Sequence, residues 1–277
     1  MKKFFALFLA MIMALSLVAC GGGKEEPVEN PYNTMTPGVL TVATSPDYAP
    51  YEFYAIGEDG SAELAGFDIA LIKYIAEYLG LELEIIPMDF DGVLLELANK
   101  SVDLGIAGIS PDPDRAESMD FSDIYYEGGQ AFITVKDKAD MFTDLASANN
   151  PDISVGAQNG TIQMDLAQEY SADADIVTLT KATDIIAELV SGKLDGGYVE
   201  WDVAVAYQVN YPELHIVCEV PYDVEGNAVG VAKGNEALLA GVNEAIAACI
   251  EDGSFSQFVA DALEQASGEI YEGLIEE

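Results

Sequence analysis

The chain has 277 residues, 49 of them Asp or Glu and 11 Lys or Arg, for a formal net charge of −38. So acidic a surface repels phosphate backbones and anionic headgroups, which excludes nucleic acid as a partner. Half of the residues are hydrophobic, and a chain of this length exceeds a typical single domain, so two are expected.

Residues 1–19 open with Lys2 and Lys3 and continue as a nearly unbroken apolar run from Phe4 to Ala19. A charged start and an apolar centre predict a secretory signal peptide, not a span that stays in the membrane. The run ends in Leu17-Val18-Ala19-Cys20 before three glycines. This resembles the bacterial lipobox, in which the cysteine is acylated and becomes the first mature residue. The competing reading is an ordinary signal that ends near a cysteine. Acylation would anchor the domain to the outer face of a membrane. Residues 20–36 are polar, with Gly, Pro, Glu and Asn and no apolar periodicity, and read as a flexible tether.

Beyond the tether, strand and helix patterns alternate, which indicates α/β architecture. A strand is predicted over residues 39–43. Asp68 is placed to cap a helix that runs to Leu79 and stops at Gly80. Residues 81–86 alternate at period two as a strand does, followed by a helix over 91–99 and a strand over 102–107. The segment Glu96-Leu97-Ala-Asn-Lys-Ser-Val-Asp103-Leu-Gly105 recurs without a gap as Glu188-Leu189-Val-Ser-Gly-Lys-Leu-Asp195-Gly-Gly197. A helix, a polar turn and a strand opened by Asp are thus used twice, as two similar lobes would use them. Helices over 236–251 and 255–265 close the chain. Cys218 and Cys249 are expected as buried thiols, and His215, among apolar neighbours in a strand, as structural. With no zinc-type spacing and no nucleophile–His–acid set, neither metal, cofactor nor catalytic residue is expected.

The chain contains one arginine, Arg115. It follows Gly105-Ile-Ala-Gly108, a short apolar strand entering a proline-rich loop. That places it beyond a strand's C-terminal end, where open α/β sheets bind ligands. Its guanidinium is a permanently charged fork that matches a carboxylate. Two readings stand. Arg115 pairs weakly with Asp112, Asp114, Glu117 or Asp120 at the surface, or it holds a ligand. In the second half, Gln158-Asn-Gly-Thr-Ile-Gln163 leads into a helix, and free N–H groups at a helix start form an anion site. Thr161 there can cap the helix, donate to a ligand, or both. Glu200 ends the strand that mirrors the one leading to Arg115.

Thr44-Ser-Pro-Asp-Tyr-Ala-Pro-Tyr-Glu-Phe53, Leu64-Ala-Gly-Phe-Asp-Ile-Ala-Leu71, the loop from Ser110 to Arg115 and Asp120-Phe-Ser-Asp-Ile-Tyr-Tyr126 occur in this order. Together they resemble the bacterial extracellular solute-binding proteins of the polar amino-acid family, family three, which feed ATP-driven importers. The resemblance spans about residue 37 to the C-terminal helices. It implies a two-lobed, hinged α/β fold of the type II periplasmic-binding-protein kind. Lobe 1 would comprise residues 37–127 and 224–277, lobe 2 residues 128–223, with a free amino acid in the cleft between them. It implies that Arg115 clamps the ligand carboxylate with Ser110 and Thr161 as donors, that Glu200 accepts the ammonium, and that Tyr48 and Phe90 sandwich the side chain. Three positions depart from the family pattern. Glu200 stands for the usual Asp, Asp112 for a Thr, and Ser45 where binders of basic amino acids carry an acid. The last change removes one partner for a cationic side chain. The implied partners are an ABC permease with its ATPase and, through lipid on Cys20, the membrane. The protein would be a monomer on the extracytoplasmic face of the cell membrane. A sensor subunit for a membrane signalling partner and an exported cyclohexadienyl dehydratase-like enzyme are the alternatives. The enzyme would need a general acid over the substrate ring.

Overall fold

Strands covered by helices on both faces read as continuous apolar runs. β1 (Val39–Thr44) is such a run, buried at every position after its first. The computed structural model describes residues 30–57, 59–223 and 226–268; the predicted signal peptide, Cys20 and the first part of the tether lie outside them. After β1 come β2 (Asp47–Tyr48), β3 (Glu52–Ile56), β4 (Ala62–Ala65), α1 (Phe67–Leu79), β5 (Glu82–Pro87), α2 (Phe90–Ala98), β6 (Leu104–Gly105) and β7 (Met119–Phe121). The chain then forms β8 (Gln130–Val135), β9 (Ser154–Gln158), α3 (Ile162–Tyr170), β10 (Asp175–Leu179), α4 (Ala182–Val190), β11 (Gly196–Glu200), α5 (Trp201–Asn210) and β12 (Leu214–Glu219). It ends with β13 (Gly230–Ala232), α6 (Glu236–Glu251) and α7 (Ser254–Ala266).

These strands form two five-stranded sheets, ordered β5-β1-β6-β13-β7 and β10-β9-β11-β8-β12, and a small sheet β2-β3-β4. In each large sheet four strands run in one direction and one, β13 or β8, the first strand after a crossing, runs against them. The sheets are the two lobes of a type II periplasmic-binding-protein fold. The chain crosses between them after β7 and returns after β12. The two crossings touch: Asn227 N–H donates to Tyr126 O at 2.8 Å and Tyr125 N–H to Asn227 O at 3.0 Å. Paired crossings permit hinge motion about one line.

The start of α1 differs from expectation. Gly66, at φ 110°, occupies the N-cap position, and no side chain caps the helix there. A Cβ on Gly66 would lie 2.1 Å from Tyr51 O, so the close approach of the β3 hairpin requires glycine. Asp68 lies inside the first turn and is fully buried. Its Oδ2 accepts from Gly108 N–H at 2.9 Å and its Oδ1 from the Tyr125 hydroxyl at 2.8 Å. It therefore braces the loop after β6 and the first crossing instead of capping a helix. The strand expected over 102–107 shortens to Leu104–Gly105. Cys249 is buried in α6, Cys218 is half-buried on β12, and both are free thiols.

Candidate functional site

The C-terminal ends of β1 and β6 face the end of β9 and the start of α3 across a cleft of about 340 Å³, counted out to open solvent. Tyr48, Phe90, Ser110, Arg115 and Thr161 all line it.

Arg115 opens a short 3-10 turn after the proline-rich loop. Its Nη1 donates to Ser110 O at 2.9 Å and its Nη2 crosses to Gly160 O at 3.0 Å. The guanidinium carbon stands 5.6 Å from the centre of the Phe90 ring, a cation–π distance. Phe90 thus supports the arginine as well as facing the cleft. The ion pairs among the described residues join Lys138 to Asp195, Lys193 to Glu188 and Lys233 to Asp120. Arg115 belongs to none of them, so pairing with its acidic neighbours is not its role in this structure. Burial pulls its pKa down, opposed by the negative charges of Asp112 and Asp165. A guanidinium has five N–H donors; three remain for a ligand after the two bonds to carbonyls.

Thr161 is the N-cap of α3. Its Oγ1 accepts from Met164 N–H at 3.3 Å and donates to Gln158 O at 2.7 Å. The hydroxyl proton is therefore engaged by the Gln158 carbonyl. Glu200 ends β11 and is 1% exposed. It caps α5, accepting on Oε2 from Asp202 N–H at 2.7 Å and Val203 N–H at 3.1 Å. Its Oε1 accepts from Gly129 N–H at 3.0 Å, which leaves one of the roughly four acceptor directions of a carboxylate open. Burial, then the charge of Asp202, raise its pKa to about 8 against those three bonds.

The sequence reading passed over Asp47, Glu52 and Gln163, which also line the cleft. Asp47 accepts from three groups: Ala182 N–H at 2.6 Å, Gln158 Nε2 at 3.3 Å and the Ser45 hydroxyl at 2.8 Å. Two of the donors belong to the second lobe, and Ala182 is the first residue of α4, where a carboxylate is favoured. Gln163 Nε2 donates to the Tyr48 hydroxyl at 2.9 Å and to Gln130 Oε1 at 2.7 Å. With the Arg115–Gly160 bond, these contacts draw the lobes together. Glu52 is fully buried, and burial first, then the charge of Asp68 and a hydrogen bond between the two carboxyls, raise its pKa well above the ordinary range. Asp47 and Glu52 stand inside the stretch from Thr44 to Phe53. What was legible there was the motif; which of its acids turn inward depends on the β2–β3 register, which sets Tyr48 opposite Glu52.

The sequence matches the family described as bacterial extracellular solute-binding proteins, family 3, over residues 40–264. It is 30% identical over 241 residues to the arginine-binding extracellular protein ArtP of Bacillus subtilis, covering 85% of this chain and 88% of that protein. The fold is similar to that of the amino acid ABC transporter substrate-binding protein AbpA from Streptococcus pneumoniae, solved with bound L-arginine. The TM-score is 0.79 at 32% identity, over 84% of this chain and 97% of the other. A cyclohexadienyl dehydratase of Pseudomonas aeruginosa is 27% identical over 187 residues, covering 68% of this chain and 66% of the enzyme.

Proposed function

This chain belongs to the bacterial extracellular solute-binding proteins, family 3, and from that premise we propose that it captures a free amino acid between its lobes and delivers it to an ABC permease and its ATPase. The observation that carries the reading is Arg115: a half-buried guanidinium in the interlobe cleft, fixed by one carbonyl from each lobe and paired with no carboxylate. A carboxylate arriving there meets an oriented fork, and its binding reinforces closure because closure completes the site. The remaining acceptor direction of Glu200 is assigned to the α-ammonium. The relatives support the class of ligand, since ArtP is named for arginine binding and AbpA was solved with L-arginine. For the dehydratase reading, a general acid would have to stand free over the substrate ring. Glu200, the acid that such chemistry would want free, is held by three backbone N–H groups.

Arg115→Ala is expected to weaken the best ligand about a hundredfold by calorimetry, the usual loss for one partner of a desolvated charge pair. That ligand is found by thermal shift, where a compound at a hundred times its Kd adds ~2.7 kcal/mol. No shift with any amino acid, or an unchanged affinity in a folded variant, would end the reading.

We also assign the protein to the extracytoplasmic face of the cell membrane as a monomer anchored by lipid on Cys20. This rests on Leu17-Val18-Ala19-Cys20. The intact mass of the processed protein should show a diacylated Cys20 as first residue, lost in Cys20→Ser. An unmodified Cys20 terminus would refute the anchor.

A further inference from the structure

We infer that Glu52 and Asp68 form a buried carboxyl–carboxylate pair sharing one proton, and that this proton holds the loop leading to Arg115 against both crossings between the lobes. What that loop does rests on the proposed function; the pair itself is read from the packing of lobe 1.

Both side chains are fully buried, and they are hydrogen-bonded to each other. A bond between two carboxyls needs a proton on one of them, because an ionised carboxylate only accepts. Asp68 is the acceptor. Its Oδ1 already accepts from the Tyr125 hydroxyl at 2.8 Å and its Oδ2 from Gly108 N–H at 2.9 Å. Beyond Asp68, neither Glu52 oxygen has a partner. The proton therefore sits on Glu52 and is directed at Asp68, a placement that burial, first, and the charge of Asp68 both favour.

The surrounding groups allow no other arrangement. Glu52 faces Asp68 on α1 and Asp47 on β2, with the hydroxyls of Tyr48 and Tyr125 nearby. Asp68 faces Glu52, Tyr125 and Gly108. None of these is a cation, and Arg115, on the same cleft, is turned to Ser110 O and Gly160 O. With the shared proton, the pair carries one negative charge that three donors satisfy. Without it, two buried carboxylates would stand within a hydrogen bond of each other and repel.

The pair lies where the parts of the site meet. Glu52 stands opposite Tyr48 in the hairpin register, and Asp68 N–H donates to Tyr51 O at 2.9 Å, tying α1 to that hairpin. Gly108 belongs to the loop leading to Ser110 and Arg115, and a Cβ on it would stand 3.2 Å from the Tyr48 ring. Its carbonyl accepts from Asn227 Nδ2 at 2.7 Å. Tyr125 lies on the first crossing and Asn227 on the second. One carboxylate thus fixes the loop and the first crossing, and Gly108 carries the restraint to the second. Glu52 and Asp68 are positioning residues, acting through the elements that hold Arg115 and Tyr48.

The test uses the full chain, freed of carried-over ligand by reversible unfolding, as wild type, Glu52→Gln, Glu52→Leu and Glu200→Gln. Glutamine keeps a donor for Asp68, and leucine removes it. In the infrared at pH 7.5, wild type should show a protonated-carboxyl band that Glu52→Gln abolishes and Glu200→Gln leaves in place. Hydrogen-exchange protection of Gly108 N–H should fall at least about tenfold in Glu52→Leu, as for a lost bond to a charged group, and return to within about threefold of wild type in Glu52→Gln. L-arginine, with which AbpA was solved, should bind Glu52→Leu at least about tenfold more weakly than wild type, with most of the loss regained in Glu52→Gln. Absence of the band, or equal loss of protection in both Glu52 variants, would overturn the inference. If Glu52→Leu does not fold, the band and the protection in Glu52→Gln decide, a tenfold loss there counting against the pair. Binding of no amino acid by wild type would sink the proposed function and leave the pair to the infrared and exchange results. Normal binding without the band would sink the pair and leave the function standing.

Discussion

At the scale of single residues, Glu200 meets two opposed demands. As the cap of α5 it supplies acceptors to three backbone N–H groups, and as a buried acid it resists ionising, with a pKa of about 8. At neutral pH it is therefore mostly protonated, and an ammonium nearby would draw the proton off. Glu200→Gln keeps the size and one acceptor oxygen while removing the charge. Without ligand, the variant should unfold at a lower temperature than wild type, because one of the two oxygens that accept from Gly129, Asp202 and Val203 N–H becomes an amide donor. Its affinity should fall by ~3–5 kcal/mol, the usual cost of breaking a buried pair on one side. Thermal unfolding and calorimetry read the two effects separately; wild-type affinity would move the ammonium to another acid, Asp202 being adjacent. Thr161 shows the same double use in milder form, since its capping bonds engage a hydroxyl that a ligand would have to reorient.

At the scale of elements, the repeated segment is a repeated brace. Asp103 N–H donates to Thr41 O at 3.0 Å, and its carboxylate accepts from Thr41 N–H at 3.0 Å. Asp195 N–H donates to Ser154 O at 2.9 Å, and its carboxylate accepts from Ser154 N–H at 2.9 Å. Each Asp therefore ties the entry of its own short strand, β6 or β11, to the start of the neighbouring parallel strand, β1 or β9. The turns before them match as well: Ser101 N–H bonds Glu96 O and Lys193 N–H bonds Glu188 O. The left-handed position is Gly192 in the second lobe and Lys100, at φ 58°, in the first. These braces set the register of the strands whose far ends form the cleft. That accounts for the same grammar in both lobes although the cleft residues differ.

For the molecule as a whole, closure and acidity are linked. Asp47 fastens the β2 hairpin of one lobe to the start of α4 in the other and is 5% exposed. Burial, chiefly, raises its pKa from the ordinary 3.8 to about 6, against the bonds from Ala182 and Ser45; Asp68 rises likewise to about 6 and Glu200 to about 8. A raised folded pKa means that the folded protein binds more protons than the unfolded chain. The corresponding stability is fully present below the ordinary carboxyl range and is lost as pH rises through about 6 and then about 8. The ligand-free protein should thus unfold at a lower temperature at pH 8 than at pH 5. Moderate fixed salt should screen the background repulsion of a chain carrying −38. Asp47→Asn should narrow that gap, since a shift of this size is worth up to ~3 kcal/mol. An unchanged gap would place the proton uptake elsewhere, on Asp68 or Glu200.

What the sequence by itself determined were the features that arise locally. Alternating strand and helix patterns gave two lobes, the Asp-opened turns gave their shared plan, and the loop from Ser110 to Arg115 gave the cleft and its guanidinium. Local pattern suffices there because periodicity and turn chemistry are written within a dozen residues. Asp68 misled, because a cap and a buried brace use the same residue type and only the contact with Gly108 and Tyr125 separates them. Asp47 and Glu52 were visible as letters in a motif and silent as groups. Whether an acid faces solvent, a helix start in the other lobe, as Asp47 does, or another carboxyl, as Glu52 does, is decided by hairpin register and packing between elements. Those contacts span up to 135 residues of sequence, as between Asp47 and Ala182, and only the tertiary structure brings them together.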